Sequence, residues 1–233
     1  MSKYIAIAGR KGGVGKSSCA LGLAAHWLRE GKSVVLVDLD PQGSASLAVS
    51  AEATGEGLRA ALAGEVAATA QQIDGVENLY VLAGGPAVVD CEAPIPLRTI
   101  MEGWTPDYVL IDCPPGHPHL DRLAIEAADI VLACSESHRL AIAGAARVLD
   151  DAKKMSHAPA CALVLGRMDS RRGLDAAAPE LLAGAFGVPV LQVRQDSLLA
   201  QALNSGQMPP EHGRASEDFA QIAHWINQSN NNI

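Results

Sequence analysis

Short apolar runs alternate with longer segments of helical periodicity along the chain. Seven runs predict strands, at residues 4–8, 34–37, 79–82, 108–111, 130–133, 161–165 and 188–191. Each run is continuous rather than alternating, which is typical of strands buried on both faces of a parallel sheet. Strands that alternate with helices imply right-handed crossover connections. We therefore expect an α/β fold, a doubly wound and mostly parallel sheet with helices on both faces.

Apolar residues at helical spacing predict the helices between these strands. The first helix begins at Ser17 and ends at Gly31, and further helices are expected at 140–153, at 175–186 and from about Ser216. The last helix carries an apolar stripe of Phe219, Ile222, Ala223 and Ile226. Residues 227–233 are polar and are expected to fray. With no repeat and no long linker, we expect a single domain over residues 1–233.

A glycine-rich segment, residues 9–18, lies between the first strand and the first helix. The usual phosphate-binding pattern is G-x-x-x-x-G-K-[ST], and Arg10 stands where its first glycine belongs. Backbone N–H groups of such a loop, together with the helix N-terminus, suit phosphate oxygens. Lys16 can reach the β- and γ-phosphates of ATP, and the Ser17 hydroxyl can ligate Mg²⁺. The residues of this loop expected to bind the nucleotide are Gly12, Gly13, Val14, Gly15, Lys16, Ser17 and Ser18.

Three motifs in sequence order resemble those of the ParA/MinD family of deviant Walker A ATPases. Residues 11–17 are similar to the deviant Walker A motif, whose mark is the extra lysine, here Lys11. Residues 35–43 look like the switch I segment, and residues 108–116 look like the Walker B strand with switch II. A weaker fourth match covers 193–206. The resemblance is greatest to small ParA-type partition or positioning ATPases without an N-terminal DNA-binding domain.

The resemblance implies a P-loop ATPase fold and a set of site residues. Asp112 would hold Mg²⁺ through water, Asp40 would orient the attacking water, and Asp38 would support the Mg²⁺ shell. Lys11 would contact the phosphates bound to the other subunit of an ATP-dependent homodimer. The expected catalytic residues are thus Lys11, Lys16, Asp40 and Asp112, and the expected metal site comprises Ser17, Asp38 and Asp112. By analogy alone, Arg167 or Met168 would contact the adenine.

The resemblance also implies non-specific DNA binding by the ATP-bound dimer and a ParB-like or cargo adaptor protein that stimulates hydrolysis. The net charge of −8 argues against tight DNA binding by a monomer. Residues 139–214 nevertheless carry nine basic and seven acidic side chains, which leaves room for a local basic patch. The candidate DNA contacts are Arg147, Lys153, Lys154, Arg171, Arg172, Arg194 and Arg214.

Other features of the sequence bear on location and on alternative functions. The five cysteines are scattered without a C-x-x-C pair, and the N-terminus leads directly into a strand, so we expect a cytoplasmic, nucleoid-associated protein. Only three residues precede the first strand, which argues against an operator-binding domain. The absence of Lys or Arg after Arg214 argues against a MinD-like membrane anchor. The alternatives are a metabolic ATP-dependent enzyme on the same scaffold and a membrane-recruited spatial regulator.

Overall fold

A computed structural model describes residues 1–89, 91 and 94–229. The strands are β1 (Lys3–Ala8), β2 (Val34–Asp38), β3 (Gln71–Gln72), β4 (Leu79–Leu82), β5 (Tyr108–Asp112), β6 (Ile130–Ser135), β7 (Ala160–Met168) and β8 (Val190–Arg194). They form one sheet in the order β3-β4-β2-β5-β1-β6-β7-β8. Only β3, paired with β4, runs antiparallel among these described strands. The expected doubly wound, mostly parallel sheet is confirmed.

Helices cover both faces of the sheet. They are α1 (Lys16–Arg29), α2 (Ser44–Leu47), α3 (Glu56–Leu62), α4 (Leu97–Ile100), α5 (Pro118–Ala127), α6 (Arg139–Lys153), α7 (Gly173–Phe186), α8 (Ser197–Asn204) and α9 (Arg214–Gln228), with a short 3₁₀ turn at Pro86–Val88. Successive side chains of β1 enter opposite cores: Ile5 and Ile7 join the core under α1 and α9, and Tyr4 and Ala6 join the core under α5 and α6. Strands covered on both faces therefore explain the continuous apolar runs.

Helix α1 packs closely on α9 through a glycine and on β5 through two stacked rings. A Cβ at Gly22 would lie 2.1 Å from the Phe219 ring, so only glycine lets the two helices approach this closely. Trp27 stacks on Tyr108 with ring centroids 3.7 Å apart. The predicted apolar stripe of α9 is confirmed, because all four of its side chains are buried.

Three local predictions need correction. The eighth strand begins at Val190, two residues later than expected, and α8 was not predicted as a helix. Asn227, expected to fray, lies in α9 and accepts a hydrogen bond from the Tyr108 hydroxyl at 2.9 Å. The hydrogen bond to Tyr108 holds Asn227 in the helix, although the polar sequence around it predicts a frayed end. Of the expected frayed tail, residues 230–233 lie outside the described residues.

None of the described helices is long and apolar enough to cross a membrane.

Candidate functional site

The candidate site lies at the carboxyl edge of the sheet, where the chain connections diverge. Strand β1 sits between β5 and β6, so the chain leaves the middle of the sheet toward both sides. Ligands of open α/β sheets bind in the crevice at such a point. The loop from β1 to α1 and the ends of β2 and β5 meet here, because parallel strands bring their carboxyl ends to one edge.

The loop from β1 to α1 has the backbone geometry of an anion cradle. Gly13 and Gly15 adopt φ values of +78° and +93°, a region that favours glycine. An added Cβ at either glycine would meet nothing within 4 Å, so open space lies beside the loop. Helix α1 begins at Lys16, and no side chain of the described residues caps its N-terminus. Its first N–H groups therefore remain available to an anion.

Lys16 is held beneath the loop rather than extended into solvent. Its side chain is buried, and its Nζ lies 3.5 Å from the Lys11 carbonyl oxygen, a long hydrogen bond that a phosphate oxygen could replace. This buried ammonium is the main positive charge near the carboxylates of the site.

Asp112 is a fully buried carboxylate that lacks a partner. It ends β5, where it lies opposite Ile7 of β1 and Asp38 of β2. Within the described part of the chain, neither of its carboxylate oxygens has a hydrogen bond of good geometry, although the Ser17 hydroxyl is near enough to lower its pKa. Burial raises its pKa well above the ordinary value, and the charge of Asp38 adds to this, while Ser17 and Lys16 oppose it. An unpartnered buried carboxylate beside Ser17 fits a cation with its water shell.

Asp38 has a different environment, because both of its oxygens are already used. Its Oδ1 accepts the Asp40 N–H at 3.0 Å, and its Oδ2 accepts the Ser46 N–H at 2.9 Å and the Ser46 hydroxyl at 2.7 Å. Burial raises the pKa of Asp38, and these hydrogen bonds oppose the shift. The structure thus gives Asp38 an anchoring role for the segment after β2, which is compatible with a metal contact only through water.

Asp40 lies at the same edge in a tight turn. Its side chain is buried, and its Oδ1 accepts the Gln42 N–H at 2.8 Å. Gly84 packs directly behind it: a Cβ there would lie 2.7 Å from the Asp40 carbonyl oxygen and 2.8 Å from Asp38 Cγ. Ser46 and Gly84 support the site, and the sequence analysis missed both. The Gly84-Gly85 pair after β4 was the available signal.

Lys11 points away from the Lys16 side of the loop. Its Nζ lies 3.2 Å from Glu136 Oε2 and 2.7 Å from His138 Nε2. Burial acts to raise the pKa of Glu136, but Lys11 and His138 outweigh it, so this pKa lies below the ordinary value. The side chain of Lys11 remains 45% exposed, so it can exchange this partner for another. Glu136 and His138 were not singled out from the sequence.

A cavity of about 680 Å³ opens beside the loop. Its walls come from the loop itself, the end of β7 and the segment from Arg194 to Asn204. Arg167 and Met168 both line it, but Met168 is buried whereas the Arg167 side chain is 64% exposed, with its NH1 3.8 Å from Glu136 Oε1. The volume suits a nucleoside. The role of Arg167 stays a prediction.

The basic candidates for DNA contact are not equivalent. Arg194 donates hydrogen bonds to Asp218, to Glu217 and to the Arg214 carbonyl oxygen, so its guanidinium ties β8 to α9 and is a poor candidate. Arg171 pairs with Asp169, and Lys154 pairs with Asp151. Arg147 and Lys153 are exposed on α6.

Among the described residues, no group of three or more His, Cys, Asp and Glu side chains is arranged to hold a metal ion. A cation beside Asp112 would therefore take most of its ligands from Ser17, water and a bound phosphate. This is the pattern of Mg²⁺, which keeps several waters and binds through few carboxylates.

Comparison with known proteins extends this picture. The AAA domain family matches residues 2–163. The chain is 36% identical over 152 residues to the chromosome-partitioning ATPase Soj of Thermus thermophilus. This match covers 63% of this chain and 60% of that protein. It is 31% identical over 163 residues to the sporulation initiation inhibitor protein Soj of Bacillus subtilis, covering 64% of each. The chain thus spans less than two thirds of both relatives.

Solved structures show the same fold. The cell division ATPase MinD of Pyrococcus furiosus superposes with a TM-score of 0.84 at 23% identity, covering 98% of this chain and 100% of that chain. The family match covers most of the strands and the whole region from the phosphate loop to β6. The chain therefore belongs to the AAA domain family, and with it to the ParA/MinD family of Walker-type ATPases.

Proposed function

We propose that this protein is a positioning or partition ATPase, in which binding and hydrolysis of Mg-ATP control the association of two copies and their binding to DNA. The cargo would be a plasmid, a chromosome region or a protein compartment, and an adaptor protein on it would stimulate hydrolysis. The protein would act as one ATPase domain, in the cytoplasm and on the nucleoid.

One observation carries the nucleotide part of this proposal. Asp112 is completely buried without a hydrogen-bond partner among the described residues, at the edge where Lys16 and the open side of the glycine loop meet. An uncompensated buried carboxylate is costly. A site that binds a cation together with an anionic phosphate accounts for that cost, whereas structural stability alone does not.

Each of the candidate residues would have a distinct role in phosphoryl transfer. The N–H groups of the loop and the Lys16 ammonium would bind the phosphates and stabilise charge that develops on them. Ser17 and Asp112 would hold Mg²⁺, with Asp38 supporting its water shell, and the ion would supply further charge neutralisation. Asp40 would orient the attacking water. Arg167 would lie against the base, and Lys11 would contact phosphates of the second copy.

The DNA part rests on the relatives and on charge. The names of the two Soj proteins refer to chromosome partitioning and to inhibition of sporulation initiation, and each protein matches somewhat under two thirds of this chain. A dimer would present two copies of α6 with Arg147 and Lys153. Non-specific DNA binding would then depend on dimer formation, since a single copy with a net charge of −8 repels DNA.

The test is a salt titration of DNA binding with ATP and with ADP, combined with measurement of mass in solution. We expect a dimer and sequence-independent binding in ATP alone. The slope of log affinity against log salt should be close to −0.9 for each phosphate neutralised. Replacing Arg147 and Lys153 together by Glu should weaken binding to every DNA sequence and leave dimer formation intact. Arg122→Glu, a charge reversal on another exposed helix position, is the matched control.

Four outcomes would contradict this function. Equal DNA binding in ATP and ADP would show that DNA binding does not depend on the bound nucleotide. Preference for one DNA sequence would indicate operator recognition. A dimer in ATP that binds anionic vesicles but not DNA would indicate the membrane-recruited alternative. ATP turnover that requires a small-molecule acceptor would indicate the metabolic alternative.

A further inference from the structure

Arg10 occupies the position where the usual phosphate-loop pattern has its first glycine, and its side chain points away from the cavity beside the loop. It extends toward α5 and α6 on the opposite side. There its NH1 lies 2.8 Å from Asp121 Oδ2, and its NH2 lies 2.6 Å from Asp151 Oδ2. One guanidinium therefore joins the loop to both helices.

The two carboxylates of this cluster differ in burial. The side chain of Asp121 is completely buried, whereas that of Asp151 is 38% exposed and also pairs with Lys154. Beyond this ion pair, neither Asp121 oxygen has a well-formed hydrogen bond within the described residues. The guanidinium of Arg10 is thus the main positive charge that compensates the buried Asp121 carboxylate. Because separating the two groups would leave a buried charge unpaired, this ion pair should hold its geometry firmly.

The neighbouring backbone is shaped for Arg10. On α6, a Cβ at Gly144 would lie 3.2 Å from Arg10 Cβ, so a glycine lets this helix pass close to the loop. Asp121 lies in the first turn of α5, whose chain follows directly from Asp112 through the short segment 113–117. Arg10 therefore connects the loop directly to the start of the helix that continues from the end of β5.

We propose that Arg10 is a positioning residue that couples occupancy of the phosphate loop to the placement of α5 and of the segment 113–117. This inference rests on the proposed ATPase function. When phosphate draws the loop toward itself, the rigid pair of Arg10 with Asp121 carries the first turn of α5 along. The backbone after Asp112 is then placed for turnover. Arg10 faces away from the cavity beside the loop, so its effect should fall on turnover and not on binding.

The test measures hydrogen exchange of residues 113–127 with and without ATP and Mg²⁺, together with KM and kcat for hydrolysis. In the natural protein, ATP should slow exchange in this segment. Arg10→Met should abolish that nucleotide-dependent slowing and lower kcat by about tenfold, with KM within about threefold of the natural value. Arg10→Lys should restore part of kcat, since one ammonium can pair with Asp121.

Two further variants keep the test decisive. Arg122→Met makes the same chemical change on α5 at an exposed position that pairs only with Glu126 among the described residues. It should preserve the slowing of exchange by ATP, and it should leave kcat and KM unchanged. If Arg10→Met does not fold, because it leaves Asp121 buried and unpaired, the double variant Arg10→Met with Asp121→Asn removes both charges and should show the same kinetic loss.

The possible results separate this inference from the function on which it rests. If the natural protein neither binds nor hydrolyses ATP, the proposed function fails. If the natural protein turns over ATP and a folded Arg10 variant matches it in kcat and in exchange, the coupling role is wrong. A variant that raises KM alone would place Arg10 in nucleotide binding and would also overturn the proposal.

Discussion

Asp38 lies opposite Asp112 in the parallel pairing of β2 with β5, and both carboxylates are completely buried. Their surroundings differ sharply. Asp38 accepts three hydrogen bonds from Asp40 and Ser46, whereas Asp112 has no such partner among the described residues. Asp38 therefore anchors the segment after β2, whereas Asp112 is the carboxylate that we propose holds the cation.

This difference predicts opposite effects of the same substitution. Asp112→Asn should raise the free energy of unfolding without ligand by about 1 kcal/mol, because an unpaired buried charge is removed. It should also lower Mg-dependent ATP hydrolysis by about a hundredfold or more. Asp38→Asn, the matched control, should lower the free energy of unfolding by about 1–3 kcal/mol, since its hydrogen bonds weaken. Denaturant titration measures the free energy of unfolding of each variant, and a phosphate-release assay measures ATP hydrolysis. An Asp112→Asn protein that is destabilised but fully active would contradict the proposed role of Asp112.

The sequence predicted these two aspartates but not their difference. Both follow apolar strands, and the carboxyl ends of parallel strands must meet at one edge, so their proximity was accessible from the pattern. The third member of the cluster, Ser46, lies eight residues after Asp38 in a short helix without strong periodicity. Its hydrogen bond depends on how the chain folds back after β2, which no local spacing specifies.

The same reasoning explains which features of the fold were predicted. Strands buried on both faces carry a strong apolar signal, and seven of the eight were predicted. Strand β3 consists of Gln71 and Gln72 at the sheet edge, where an apolar pattern is not required. Helix α8 has few buried residues, and its start depends on Asp196, whose side chain accepts the N–H of Leu198. Likewise, the contact of Lys11 with Glu136 joins residues 125 positions apart.

Asp40 is expected to separate ATP binding from turnover. Asp40→Asn keeps an oxygen that can accept the Gln42 N–H, so the turn should persist while the negative charge that would orient water is lost. We expect ATP affinity within about threefold of the natural protein, with hydrolysis lowered by about a hundredfold and the dimer persisting in ATP. Size-exclusion chromatography with light scattering and a single-turnover assay give the measurement. A protein that stays monomeric in ATP, or that hydrolyses normally, would remove Asp40 from this role.

Release of Lys11 from Glu136 is expected to favour association of two copies. In the described chain Lys11 is paired with Glu136. In the proposed dimer, this pair would compete with the contact of Lys11 to phosphate on the second copy. Glu136→Gln should therefore strengthen ATP-dependent dimer formation by about two- to fivefold, a modest effect because the pair is partly exposed. Lys11→Ala should abolish dimer formation. The dimer dissociation constant in ATP is the measurement, with Glu126→Gln as the matched control; a weaker dimer in Glu136→Gln would contradict the competition.

The buried Asp121 predicts a pH dependence of stability. Burial raises its pKa to about 6, with Arg10 and Lys16 opposing, against an ordinary value of 3.8. The folded protein thus holds this proton more tightly than the unfolded chain, so this group's contribution to stability is lost as the pH rises from about 4 to 6. The loss should be about 2–3 kcal/mol. Asp121→Asn should remove it, so the variant gains stability relative to the natural protein over this range. Denaturant titrations of the natural protein and of Asp121→Asn at several pH values test this prediction. If the free energy of unfolding changes with pH in the same way for both proteins, the prediction is wrong.

The central claim is that the loop between β1 and α1 binds the phosphates of Mg-ATP through Lys16. Calorimetric titration of ATP in the presence of Mg²⁺, for the natural protein and for Lys16→Ala, tests it most directly. Lys153→Ala, which removes an exposed ammonium from α6, is the control. The account predicts that Lys16→Ala loses at least about a hundredfold in ATP affinity, because the phosphates lose their buried counter-charge, and that the control binds normally. A folded Lys16→Ala protein that binds ATP within a few-fold of the natural protein would contradict it.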